Sequence, residues 1–234
     1  MSRDFMTIDE LMSQLGRERR EVERMVSRGR IPGRRVSGEW RFNRNEITQW
    51  LESEIRDFGD QDLARVEQTQ QSLELDPRSP ISQLISPETV QVPLDAGTKP
   101  STLQALVEVA GRTWKIMEPA AVLEAVKQRE NVMSTGFDNG IAIPHPRNPL
   151  PDALSDSVVG FGRTVSGIPF GAPRRALTDM FFLVLARDSK THLQILARLG
   201  RLMQLPDFVN NLRTAETSAD AYDLICAADA NVDA

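Results

Sequence analysis

One cysteine in 234 residues, Cys226, leaves no partner for an internal disulfide and suits a reducing cytoplasm, with burial in a helix as its ordinary role. Histidine is almost as scarce, since His145 and His192 are the whole supply. A zinc site takes three or four ligands, so this pair would have to recruit Asp138 or Asp188, and no metal site is expected. No apolar run reaches the length that crosses a bilayer, and the opening MSRDFMTIDE is too polar for a secretory leader. After these exclusions the expectation is a soluble, cytoplasmic chain whose chemistry needs no metal and no organic cofactor.

Charge is unevenly spread. The formal net charge is −5, yet residues 17–44 hold ten arginines against four glutamates, a surplus of six, so the remainder sums to about −11. One end is built for an acidic partner. The length suits two small domains, each able to bury a core.

Thr7 followed by Glu10 reads as a capping box opening a short helix with Ile8, Leu11, Met12 and Leu15 on its apolar face and Gly16 at its end. Residues 18–28 predict a second helix, in which Val22, Met25 and Val26 share a face, Arg19, Arg20 and Arg24 lie off it, and Gly29 closes it. The stretch GRRVSGEWRF alternates and turns at Ser37-Gly38, which predicts a hairpin carrying Arg34, Arg35 and Arg41. Asn45 is expected to cap a last helix whose Ile47, Trp50, Leu51 and Ile55 pack back onto the unit.

This order, with RGRIPGRRVSGEWRFNRNEITQWL as its most specific part, resembles the excisionase-like winged helix-turn-helix domains related to the MerR family. The resemblance implies a DNA-binding domain over residues 1–56. It places Arg17, Arg19, Arg20 and Arg24 in the recognition segment and Arg34, Arg35 and Arg41 in the wing. Arginines also neutralise phosphates and read guanine, so charge and motif agree. A solvated, salt-bridged surface is the competing reading, supported by Glu18, Glu21 and Glu23.

Residues 57–79 read as a polar linker ending in a Pro-containing stretch. Leu63, Val66 and Leu73 would form a thin apolar seam if the linker were helical, too sparse for a heptad repeat but a candidate homodimer contact.

Beyond it, helical periodicity in TLQALVEVAGRTW and AAVLEAVKQRE is followed by the strands IAIP, SVVGFGRT and DMFFLVLAR, and then by more helices. This pattern predicts an α/β sandwich with a mixed sheet flanked by helices, and MFFLVLA, apolar on both faces, as a central strand. Within STGFDNGIAIPHPR, His145 sits between Pro144 and Pro146. The proline that follows limits the backbone of His145 to extended geometry and so holds the ring in place. A neutral imidazole is a good phosphoryl acceptor near neutral pH, which makes this a candidate phosphohistidine site.

Residues 80–228 resemble the type-2 EIIA domains of the bacterial sugar phosphotransferase system (PTS), of the fructose, mannitol and nitrogen-regulatory kind. The resemblance rests on ISQLISPETVQVPLDAGTKPSTLQALVEVA, REN, STGFDNGIAIPHPR and GIPFGAPRRALTDMFFLVLARDSKTHL in order. It implies that His145 accepts phosphate from the phosphocarrier HPr through Nε2, with a PTS EIIB component as a further partner. Arg129 would neutralise the moving group, and His192, at the start of a helix, would bind its oxygens or fix the ring. Ser134, Thr135 and Gly140 are weaker candidates for phosphate-supporting donors. Relatives commonly carry glycine after the active histidine, where this chain has Pro146, which removes an N–H. The expected function is a phosphohistidine carrier and regulator coupled to a DNA-binding domain. The alternative is a non-transferring EIIA-fold module whose N-terminal domain docks on a protein instead of DNA.

Overall fold

The computed structural model describes residues 4–72 and 75–232. Its N-terminal unit begins with β1 (Phe5–Met6), followed by α1 (Ile8–Leu15) and α2 (Arg19–Ser27). The Thr7–Glu10 capping box is formed in both directions, and Gly16 ends α1 in the left-handed conformation that a Cβ disfavours. β2 (Arg34–Val36) and β3 (Glu39–Asn43) form the wing, with Ser37 and Gly38 both at positive φ as a two-residue hairpin turn requires. β1 pairs antiparallel with β3, an edge that periodicity over two residues was too short to reveal. α3 (Arg44–Ile55) follows, and its cap is Asn43, not Asn45: the Asn43 side chain accepts from the N–H groups of Asn45 and Glu46. Two asparagines lie within reach of that helix start, and the one ahead of Arg44 has the extended backbone a cap needs.

The stretch read as a polar linker contains α4 (Asp60–Thr69), packed along α7 (Ser189–Leu202) of the C-terminal unit. Leu63 and Val66 are buried there, so the thin seam faces its own chain and is not available as a dimer contact; Leu73 lies outside the described residues. The approach is close because α7 offers Gly200, where an added Cβ would meet Leu63 Cδ1 at 3.1 Å. Around this contact, Arg198 Nε donates to Glu67 Oε1 at 2.7 Å, while Arg201 donates to Glu67 Oε2 at 3.1 Å and to Asp60 Oδ1 at 2.9 Å. A polar helix thus gains a buried seat through ion pairing that no apolar count predicts.

In the C-terminal unit, β4 (Val90–Gln91), β5 (Ile141–Ala142), β6 (Val158–Ile168) and β7 (Thr178–Leu185) form a sheet in the order β4-β6-β7-β5. The β6–β7 pair is antiparallel and the two outer pairs are parallel, which makes the sheet mixed. β7 is central, as its composition predicts. Met180, Phe182 and Val184 face a core shared with α7, α8 (Phe208–Thr214) and α9 (Ser218–Asn231). Phe181, Leu183 and Leu185 face α5 (Lys99–Gly111) and α6 (Pro119–Val132) on the other side. The first of these cores runs on without a break into Leu11, Val22, Ile47 and Leu51 of the winged helix. No helix among the described residues is long and apolar enough to cross a membrane.

Candidate functional site

His145 lies three residues beyond β5, on the loop between Pro144 and Pro146, and only 4% of it is exposed. Its Nδ1 meets the carbonyl oxygen of Ile143 at 2.7 Å. A carbonyl can only accept, so Nδ1 carries the proton and the lone pair belongs to Nε2. That Nε2 atom is buried with no hydrogen-bond partner. Burial lowers the pKa of His145, and His192 and Arg129 add to this against the opposing pull of Glu52, so the ring is held neutral and nucleophilic.

His192 stands in the first turn of α7, whose N-cap Asp188 accepts from the backbone N–H groups of Lys190 and Thr191. Its ring meets that of His145 edge-on, with centroids 5.1 Å apart. Arg129, in the last turn of α6, donates to the Met133 carbonyl at 2.9 Å and holds its Nε 3.9 Å from Glu52. Thus His145, His192 and Arg129 converge. The hydroxyls of Ser134 and Thr135 and the carbonyl of Gly140 already have partners. The Ser134 hydroxyl donates to Phe170 O, Thr135 gives both its N–H and its hydroxyl to Glu130, and Gly140 O accepts from Asp179 and Met180.

Sequence reasoning missed the residue at the centre. Glu52, from α3 of the winged helix, accepts a hydrogen bond from His192 Nε2 at 3.0 Å and places its other oxygen 3.6 Å from His145 Nε2. At 3.6 Å the second contact is electrostatic and not a hydrogen bond. Burial would raise the Glu52 carboxyl, but the two imidazoles outweigh it and hold it at about 2. Four residues along the helix, Arg56 donates to the carbonyls of Ser134, at 2.7 Å, and Gly136, and lies over the Phe137 ring. Three residues before Glu52, Gln49 accepts from Arg147 at 2.7 Å. Gln49, Glu52 and Arg56 form one polar stripe beside the apolar stripe Ile47, Leu51 and Ile55. That spacing was the available signal, and it was hidden because polar stripes normally face solvent.

Among the described residues, Glu52, His145 and His192 also bring three metal-capable atoms within 4.8 Å of one another. Arg129 and Arg56 line a small pocket, of about 30 Å³, with Glu52 and His145, and guanidinium groups oppose a cation while favouring an anion. Of the proposed DNA-contacting arginines, Arg19, Arg20, Arg24, Arg34 and Arg35 are exposed, and Arg41 is half-buried beside Glu39. Arg19 pairs with Asp9. Arg17 is set apart from the others, tied to Glu21 and, at 2.8 Å, to Asp62 of α4.

The helix-flanked mixed sheet is the fold of the IIA-Ntr nitrogen regulatory protein from Neisseria meningitidis, with a TM-score of 0.56 at 21% identity over 62% of this chain and 98% of that one. Residues 83–227 match the family model of the phosphoenolpyruvate-dependent sugar phosphotransferase system, EIIA 2, and residues 5–54 match that of a helix-turn-helix domain. The chain belongs to the type-2 EIIA family and carries a helix-turn-helix domain ahead of that region. A fructose-specific EIIA component from Haloferax volcanii is 30% identical over 147 residues, covering 62% of this chain and 94% of that protein. The fructose-specific EIIABC component of Bacillus subtilis is 26% identical, and the match spans 62% of this chain but 23% of that larger protein.

Proposed function

We propose that the chain is a cytoplasmic phosphohistidine carrier and regulator, in which His145 of a phosphoacceptor unit at residues 80–228 responds to HPr and a DNA-binding unit at residues 1–56 delivers the response. The observation that carries this reading is the His145 ring itself: fixed through Nδ1, neutral, and with an unpartnered Nε2. In the transfer, the Nε2 lone pair forms a new N–P bond while the N–P bond of the donor phosphohistidine breaks and returns its electron pair to the donor imidazole. In this reading Arg129 and His192, which now face the Glu52 carboxylate, offset the charge on the equatorial oxygens. A PTS EIIB component is the class of protein that would take the group onward.

Incubation with phosphoenolpyruvate, enzyme I and HPr, followed by intact-protein mass, is the direct test. One acid-labile phosphoryl group is expected on the parent chain and none on His145→Ala. Absence from both folded proteins would refute the carrier role and favour the alternative, an EIIA-fold module that binds partners without transfer. That alternative draws on the helix seated over His145 and on Pro146, which is buried beside it.

A further inference from the structure

We propose that Glu52 is an intramolecular ligand of the phosphoryl site, so that the third helix of the winged-helix domain and a phosphoryl group compete for the same place on His145. This inference rests on the reading of His145 as phosphoacceptor. Four observations lead to it. The carboxylate sits 3.0 Å from His192 Nε2 and 3.6 Å from His145 Nε2, the two ring atoms that a phosphoryl group would contact. It comes from a different structural unit, 93 positions before His145 in the chain. The surrounding groups suit an anion: two imidazoles, with the guanidiniums of Arg129 and Arg56 lining the pocket. The contact also closes the site, leaving His145 and His192 4% and 3% exposed.

A donor protein must bring its own phosphohistidine into line with Nε2, and the closed arrangement leaves no approach. Phosphoryl uptake therefore proceeds from the fraction of molecules in which α3 has lifted away, and the observed rate is the open-state rate scaled by that fraction. Once formed, phosphohistidine adds about −1.5 to −2 charges at the position of the Glu52 carboxylate. Repulsion and loss of space then hold α3 off. Gln49 and Arg56, carried by α3 and its C-cap, leave with it and release Arg147, which follows β5, and the Ser134 and Gly136 carbonyls, which precede it. α3 of the winged helix is thereby the internal partner of the EIIA face, and the phosphorylation state sets whether that helix is docked over His145.

The test uses the full chain with Glu52→Ala and with Glu52→Gln, which preserves side-chain length, after circular dichroism has shown that both are folded. Access to His145 is read without any phosphate donor, from the rate of diethyl pyrocarbonate modification located by mass. The expected result is about a tenfold or greater acceleration in Glu52→Ala and a smaller one in Glu52→Gln. Phosphoryl uptake from HPr should accelerate in the same order, and phosphorylation of the parent should raise amide hydrogen exchange across α3. Equal modification rates in the parent and Glu52→Ala, or slower uptake in Glu52→Ala, overturn the proposal. Faster modification with no phosphoryl gain in any variant supports Glu52 as the ligand closing the site while refuting the carrier reading.

Discussion

Two helices join the winged helix to the EIIA domain, and they are joined in different ways. α4 lies on α7 through Leu63 and Val66, through the close approach at Gly200, and through Glu67 held by Arg198 and Arg201. α3 and its C-cap reach the same domain through Gln49, Glu52 and Arg56, which hold the segments on either side of β5 and the His192 ring, with Glu52 also facing His145. The first interface rests on buried apolar contact and on a cluster of charges, Glu67 with Arg198 and Arg201, that is taken out of water. The second occupies groups that the proposed phosphoryl transfer needs free. A buried, ion-paired clamp and, in the proposed competition, a displaceable ligand stand side by side, joined by residues 56–59.

Breaking the clamp should have the larger effect. Arg198→Ala leaves Glu67 and Asp229 buried beside a lost guanidinium, and removing one member of a buried ion pair costs about 3–5 kcal/mol. Urea unfolding of the full chain measures this, and a loss below about 1 kcal/mol would show the cluster to be peripheral. The displaceable contact should respond to acid. The Glu52 carboxyl falls from 4.5 to about 2 on docking, facing His145, His192 and Arg129, with Arg56 on its own helix. Its pKa is depressed in the docked state, so its contribution is complete above pH 4.5 and disappears as pH falls towards 2. The His145 shift has the same sign and adds to the loss. The Glu52 shift corresponds to about 3 kcal/mol, and small-angle scattering should show the parent expanding further than Glu52→Gln below pH 4.5, while the His145 contribution, lost as pH falls below 6.5, is common to both. The smallest effect belongs to the surface that neither interface covers. Arg35→Ala, on the exposed wing, should weaken binding to generic DNA modestly and reduce the salt slope by about one phosphate contact. Unchanged affinity and slope would remove the wing from the DNA surface.

Both architectural units were legible because their signals are local and periodic: the capping box at Thr7, the turn at Ser37-Gly38, and the doubly apolar run of β7. The His145–His192–Arg129 grouping was reached through motif spacing combined with resemblance. The junction was not legible. Glu67, Arg198 and Arg201 are charged residues on helices, which sequence reasoning assigns to solvent, and their burial depends on meeting one another across 131 to 134 positions. Glu52 failed for the same reason. Ser134 and Thr135 looked like phosphate donors because hydroxyls near an active histidine usually are; here Phe170 and Glu130 already hold them.

The short connection between α3 and α4 has a consequence for competition. Because α4 is clamped, Glu52 stays tethered near His145 even when α3 lifts; it is presented to His145 at an effective concentration on the order of millimolar or above, set by a connection of only a few residues. A weak carboxylate ligand thereby acts as a strong one. In the proposed competition a donor protein has to overcome that local concentration to reach His145, which would make the length of residues 56–59 a setting for the sensitivity of the chain to phosphoryl supply.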